Sequence, residues 1–303
     1  MATPREIHRH IKSVKNIQQI TKAMKMVAAA RLRRAQEKAA SSRPFAGKIK
    51  ELLMTAVSDK KMMDKLNMDE HPLLSERPVK KVAYIIVSSD KGLAGAYNAN
   101  LLKHAVVELM DKDSYILITV GRKAKDFFRR RGFSIYQSFF GFSDKPSYND
   151  ADEVAHVAEE LFVSGAVDEV FLVYTQFKSA LSFTPVTKRL LPVKPPVFQP
   201  EVNTYADDTV ELNGDDNTSD VIFEPKAEET LKYLVPYYVR TLTYDSIMQA
   251  AASELGARMT AMSSATENAN DLLHKLEVSY NKARQAGITN EINEIVGGAE
   301  ALQ

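Results

Sequence analysis

Apolar residues recur near the end of this 303-residue chain at alternating spacings of four and three: Leu255, Met259, Met262, Thr266, Ala269, Leu273, Leu276, Tyr280, Ala283 and Gly287. That spacing is the seam of a heptad repeat. It extends backward through Leu234, Tyr238, Thr241, Met248 and Ala252, and forward, with a one-residue shift, through Ile288, Ile292, Ile295, Ala299 and Leu302. The pattern predicts one helix from near Pro236 to near Leu302, on the order of 100 Å long. A second stripe opens the chain: Ile7, Ile11 and Val14, then Ile17, Ile20, Met24 and Val27, a change of phase that predicts a local change of winding. From Pro4 to about Ser42 the chain has no glycine, its only proline is at the start, and Ala, Lys, Arg, Met and Gln dominate. All five favour helix. The expectation is a helix of about 57 Å, interrupted or kinked at Pro44 and Gly47 and resuming through Leu52, Leu53 and Val57. Neither helix can bury its stripe alone, so the two are expected to wrap as an antiparallel coiled coil.

Between them the hydrophobic period alternates. Lys81–Ser88, Ser114–Val120, Phe133–Phe139 and Asp168–Phe177 read as strands, and Asn100–Met110, Arg122–Arg130 and Asp150–Ser164 as helices. This is the alternation of a Rossmann-like α/β domain with a mainly parallel sheet. Ser182–Pro200 holds too many prolines for a central strand and suits an edge strand or a return path. The fold class is thus α/β plus a long antiparallel coiled coil. The segments are a first coil helix (1–59), a linker (60–76), an α/β foot (77–200), an acidic loop and return (201–225), and a second coil helix (226–303).

Charge sharpens the picture. The formal net charge is only +1, yet Arg5 to Lys50 carries thirteen bases against Glu6 and Glu37, a net of +11. Such a helix repels itself unless an acidic partner accompanies it. Seven acids and no Lys or Arg lie between Glu201 and Asp220, which reads as an exposed, mobile loop. There is no cysteine, so disulfides, thiolate metal sites and cysteine nucleophiles are excluded. The first ten residues are polar with no apolar h-region after them, and no run approaches the roughly 20 apolar residues of a membrane span. A soluble or peripheral protein is expected.

Chemistry-bearing motifs are scarce. The turn Ser88–Asn98 (SSDKGLAGAYN) stands where a phosphate loop would, but it is neither G-x-G-x-x-G nor G-x-x-x-x-G-K-[ST]. No nucleophile elbow or HExxH occurs, and His8, His10, His71, His104, His156 and His274 are scattered. No catalytic residue, cofactor site or metal site is expected. A nucleic-acid-binding coil would interleave aromatics with its bases, and Arg5 to Pro44 has no Tyr, Phe or Trp. An α/β enzyme with helical arms would need the phosphate cradle or acid/base set that is missing. Met24, Met26, Met259 and Met262 on the stripes read first as core filler.

Three stretches resemble the F-type ATP synthase gamma subunit family: Ile11–Gln36 (IKSVKNIQQITKAMKMVAAARLRRAQ), the turn SSDKGLAGAYN, and the run from Ala257 to Leu302 (ARMTAMSSATENANDLLHKLEVSYNKARQAGITNEINEIVGGAEAL). In the turn this chain has Lys91, Ala94 and Ala96 where the family more often has arginine, cysteine and glycine. The resemblance implies a non-catalytic rotor shaft inside a ring of three alpha and three beta subunits. Its foot would rest on the epsilon subunit and the membrane-embedded c-ring, peripheral to the cytoplasmic face of a bacterial plasma membrane. It implies that Arg284, Gln285 and Thr289 meet a beta-subunit loop. Met24, Arg258, Lys22, Lys25, Arg33 and Arg34 would face the acidic lever of beta, and Asp90 and Lys91 lie in a turn near beta. Ile295, Ala299 and Leu302 form the tip, held in an apolar sleeve. No nucleic acid and no small-molecule substrate of its own are implied.

Overall fold

The computed structural model describes residues 3–58, 71–110, 114–143, 145–193 and 227–300. The acidic segment 201–225, most of the linker 60–76, and Leu302 lie outside the described residues. In chain order the elements are helix α1 (Pro4–Ser58), a 3-10 turn (Pro72–Leu74), β1 (Val82–Val87), α2 (Tyr97–Met110), β2 (Tyr115–Val120), α3 (Arg122–Arg130), β3 (Gln137–Phe139), α4 (Tyr148–Val163), β4 (Glu169–Phe177), β5 (Phe183–Leu191) and α5 (Ala227–Glu300). By packing these form two units. One joins the start of α1, as far as Ala29, to the part of α5 from Arg258 onward; the other is Ala30–Ala257.

In the first unit α1 and α5 run antiparallel. The His8 and Tyr280 rings lie 5.9 Å apart. Gln18 Nε2 donates to Asn270 Oδ1 at 2.5 Å, the Thr266 hydroxyl donates to that of Thr21 at 2.8 Å, and Lys25 Nζ donates to Ser263 Oγ at 2.9 Å. The α5 seam follows the heptad reading, with Met262 and Ala269 buried and Thr266, Leu273, Leu276, Tyr280, Ala283 and Gly287 half-buried among exposed neighbours. The α1 seam does not follow its reading. After Ile7, Ile11 and Val14 it keeps one phase through Gln18, Thr21 and Ala28, while Ile17, Ile20 and Val27 stand 51 %, 58 % and 51 % exposed. The expected change of winding is therefore not needed. Small and polar seam residues let the helices approach, and their cross-helix hydrogen bonds fix one register at some cost in apolar burial.

Both long helices outrun their local breakers. Pro44 and Gly47 lie inside α1, and α5 starts at Ala227 with Pro236 inside it rather than at its head. An interior proline removes one backbone hydrogen bond. Tertiary packing outweighs that loss here: Ile49 and Leu53 are buried beyond Pro44, and Leu231 and Val235 before Pro236.

The second unit centres on a five-stranded sheet of order β3-β2-β1-β4-β5. β1 pairs in parallel with β2 and β4, β2 in parallel with β3, and β5 runs antiparallel to β4 as the edge strand the proline-rich run suggested. β1 reads as an unbroken apolar run because both its faces are covered. Ala83, Ile85 and Val87 enter the core shared with α4 and α5, whereas Val82, Tyr84 and Ile86 enter the one beneath α2 and α3. In this unit α5 buries Leu231, Val235 and Val239; Leu234, Tyr238 and Thr241, assigned to the seam by periodicity, are half-buried. Further along, α5 is enclosed almost all round in small residues, Ala250 to Ser253 among them. Gly256 permits the close approach: a β-carbon there would stand 3.2 Å from the Ala180 carbonyl oxygen.

Asp168 ties the entries of β1 and β4 together. Its Oδ2 accepts from the backbone N–H of Lys80 at 2.8 Å and of Lys81 at 3.0 Å, with Arg77 Nε 3.7 Å from Oδ1. The Lys80 N–H above all, then that of Lys81 and the Arg77 charge, hold this carboxyl below the ordinary aspartate value of 3.8 in spite of partial burial. A carboxyl lowered in the folded state stabilises it fully above that ordinary value, and the contribution is lost as the pH falls through the folded value. Asp168→Asn is expected to cost about 1.5–3 kcal/mol in urea unfolding at neutral pH and progressively less in acid. An equal cost at both would assign the effect to packing.

Candidate functional site

Open sheets with this strand order take ligands outside the carboxyl ends of the strands, where the order reverses. Here the reversal falls between β1 and β4, and α5 fills it. Ser253 Oγ donates to the Thr175 carbonyl near the end of β4 at 3.0 Å, and the Tyr97 hydroxyl, from the first residue of α2, donates to the Ala250 carbonyl at 3.1 Å. A void of about 10 Å³ remains among Ser88, Ser89, Tyr97, Ser143 and Glu254, room for about one water. Burial, then the Glu254 carboxylate, push the Tyr97 phenol far above its usual range, so it remains a neutral donor.

The turn at the phosphate-loop position spends its polar groups on α3. Ser88 Oγ accepts from the Ala124 N–H at 2.8 Å, the Ser89 carbonyl from Lys123 at 3.0 Å, and Asp90 Oδ1 from Arg122 at 3.1 Å. Three of the helix's orphan donors are thereby satisfied from a distant turn. Asp90 Oδ2 also accepts from the N–H groups of Gly141 and Ser143, at 2.9 and 3.3 Å. Asp90, singled out in sequence as a turn residue near a partner, thus has its carboxylate engaged within the foot; Lys91 beside it is exposed. Among the described residues no group of three or more His, Cys, Asp or Glu stands where it could hold a metal.

The remaining candidates lie on the long helices. Lys22, Lys25, Arg33 and Arg34 are exposed. Arg33 meets Glu37 at 3.0 Å, but with side chains 83 % and 62 % exposed the pair contributes little. Met24 is half-buried, whereas Arg258 is 7 % exposed and sits within the fold rather than on its surface. Arg284, Gln285 and Thr289 are exposed, and the Thr289 hydroxyl donates to the Gln285 carbonyl at 3.0 Å. Because His8 lies against Tyr280, the first turn of α1 falls level with about residue 284, and among the described residues α5 continues alone past it. On that extension Ile288, Ile292, Ile295 and Val296 are 46 %, 54 %, 72 % and 51 % exposed. Ala299 belongs to the same stretch of α5. Sequence reasoning missed one feature: Ile17, Ile20 and Val27, read as seam, are exposed, as is Met26, on a helix that also presents Lys22 and Lys25. The signal was present as more large apolar residues than one seam can use.

A sequence profile described as ATP synthase matches residues 3–302, and the chain is 46 % identical over 303 residues, covering 100 % of both, to the ATP synthase gamma chain of Desulforamulus reducens. The chain belongs to the ATP synthase gamma chain family. Among solved structures it is similar to a chain of the Tetrahymena thermophila mitochondrial ATP synthase central stalk and c-ring, with a TM-score of 0.60 and 25 % identity over 81 % of this chain and 99 % of that one. It is also similar in fold to a chain of the Euglena gracilis mitochondrial ATP synthase OSCP/F1/c-ring structure, with a TM-score of 0.65 and 18 % identity over 99 % and 94 %. Among the described residues no helix is long and apolar enough to cross a membrane.

Proposed function

We propose that this gamma chain is the central rotor shaft of an F-type ATP synthase, non-catalytic itself. It transmits rotation of a membrane c-ring to a head of three alpha and three beta subunits, coupling ion translocation to ATP synthesis or hydrolysis. The observation that carries this reading is the outer surface of the two-helix coil. Ile17, Ile20, Met26 and Val27 are each more than half exposed on a helix that also presents Lys22 and Lys25. A free soluble coil gains nothing from that mixture, whereas a shaft inside an apolar and acidic sleeve does. Filling of the sheet crevice by α5 supports the same reading, because a helix locked into the foot carries torque from it without slip.

On this reading Lys22, Lys25, Arg33 and Arg34, with Met24, face an acidic lever of beta. Arg284, Gln285 and Thr289 meet a beta loop during part of each turn, and Ile295 leads the tip into an apolar bearing. Lys91, exposed in the turn whose Asp90 serves the foot, lies near beta. Arg258, being buried, acts through the coil rather than by direct contact. The foot rests on epsilon and the c-ring, at the cytoplasmic face of a bacterial plasma membrane. Native mass spectrometry of the endogenous complex tests this reading: one copy of this chain with three alpha and three beta subunits is expected. The Arg284→Ala, Gln285→Ala chain should assemble in the same ratio and turn over more slowly. Any other stoichiometry would contradict the shaft, and unaltered turnover would remove the two residues from the contact.

A further inference from the structure

Helix α3 carries a feature that the shaft reading does not use. Between Arg122 and Arg131 there are six bases, Arg122, Lys123, Lys125, Arg129, Arg130 and Arg131, and one acid, Asp126. Ala124 and Phe128 anchor the helix in the core at 0 % exposure. At 100° per residue, Arg122, Lys123, Arg129 and Arg130 project from the side opposite that anchor, and the half-buried Lys125 from its flank. Arg129, Arg130 and the following Arg131 suit a helix C-terminus, where cations oppose the partial negative charge. Arg122, Lys123 and Lys125 do not, since cations in the first turns work against the macrodipole. Asp90 at the Arg122 N–H offsets that cost only in part. Residues that violate a local rule on an exposed face point to an external anion. A second observation concerns aromatics. Phe140, 48 % exposed, lies beneath Arg122 and Lys125, whose charges stand 5.4 and 4.8 Å from its ring centre; Arg131 lies 3.7 Å above the Phe127 ring. Cations on long flexible stems, spread over an outward helix face and backed by an aromatic ring, match a fluid anionic layer better than a fixed carboxylate set.

We propose that this face docks on the anionic phospholipid headgroups of a membrane surface. The proposal rests on the rotor reading only for bringing the foot near a membrane. The test needs no partner subunit, so the two can fail separately. The chain has no tryptophan, so Phe140→Trp in the full chain places a single indole at the site. With vesicles of about 30 mol % phosphatidylglycerol in phosphatidylcholine, the indole emission is expected to move to the blue and to be quenched by brominated acyl chains. Pure phosphatidylcholine and inorganic phosphate at equal phosphate concentration should do neither. Adding Arg122→Gln, Lys123→Gln, Arg129→Gln and Arg130→Gln should weaken vesicle binding at least about tenfold, with unchanged circular dichroism certifying the fold. The proposal is overturned if vesicles capture the chain while the indole stays in water, since the basic coil would then be the binding surface. It is equally overturned if polyglutamate shifts the emission and vesicles do not, which would assign the face to an acidic protein, or if neither binds.

Discussion

Gly121→Val is expected to prevent the foot from folding. Gly121 joins β2 to α3 at φ +94, and a β-carbon there would lie 2.3 Å from the Ser88 carbonyl oxygen and 2.7 Å from its carbonyl carbon and Oγ. The obstruction is backbone and the end of a very short side chain, so nothing can swing aside. Ser88 is also held at the β1 terminus, its N–H donating to the Val120 carbonyl at 2.8 Å. Relief would require parting β1 from β2 at the centre of the sheet. Strain at such a φ alone costs about 1–3 kcal/mol, and with the overlap the total should exceed about 4 kcal/mol. The measurement is near-ultraviolet circular dichroism with thermal melting, with Gly132→Ala as comparison. Gly132 has φ +77 but no atom within 4 Å of its would-be β-carbon, so it should lose only about 1 kcal/mol. Equal melting of the two variants would show that the contact at Ser88 does not restrain the foot.

Reversing Lys22, Lys25, Arg33 and Arg34 to glutamate is expected to abolish coupling while sparing the fold. All four are exposed; the hydrogen bond from Lys25 to Ser263 and the Arg33–Glu37 pair are surface interactions. Each contributes at most about 1 kcal/mol, and new glutamate repulsion along α1 adds a few tenths per pair. Against an acidic sleeve the reversal turns four attractions into repulsions, so proton or sodium pumping by reassembled complexes should collapse while the melting temperature of the chain moves little. Normal pumping after reversal would refute the electrostatic match.

The legibility of the sequence followed side-chain size. β1 was readable as an unbroken apolar run, and the α5 seam because Leu255, Met259, Met262, Leu273, Leu276 and Tyr280 anchor one clear period. The α1 seam was not, since Gln18, Thr21 and Ala28 carry less hydropathy than Ile17, Ile20 and Val27, which face outward. Hydropathy alone sees apolar residues, not which partner will cover them. Pro44 and Pro236 were read as breakers because local propensity is all a sequence displays, while Leu53 and Leu231 supply burial from distant chain. Plugging of the crevice by α5 and capping of α3 by Ser88, Ser89 and Asp90 join residues far apart in sequence, so no local pattern announces them. That the turn lacks a phosphate-loop motif is a fact of the sequence; that α5 fills the crevice beside it was not legible. Of the candidate residues, the coil bases and Arg284, Gln285 and Thr289 are exposed, whereas Arg258 is buried and the Asp90 carboxylate is engaged within the foot.

Rotation itself tests the central claim most directly. The chain has no cysteine, so Lys103→Cys on the exposed side of α2 provides a single attachment point for a gold bead, with the alpha and beta subunits fixed to glass. On addition of ATP the account predicts that the bead turns in one direction, in thirds of a revolution, at a rate set by hydrolysis. Full ATP hydrolysis by the fixed head with a stationary bead would contradict it.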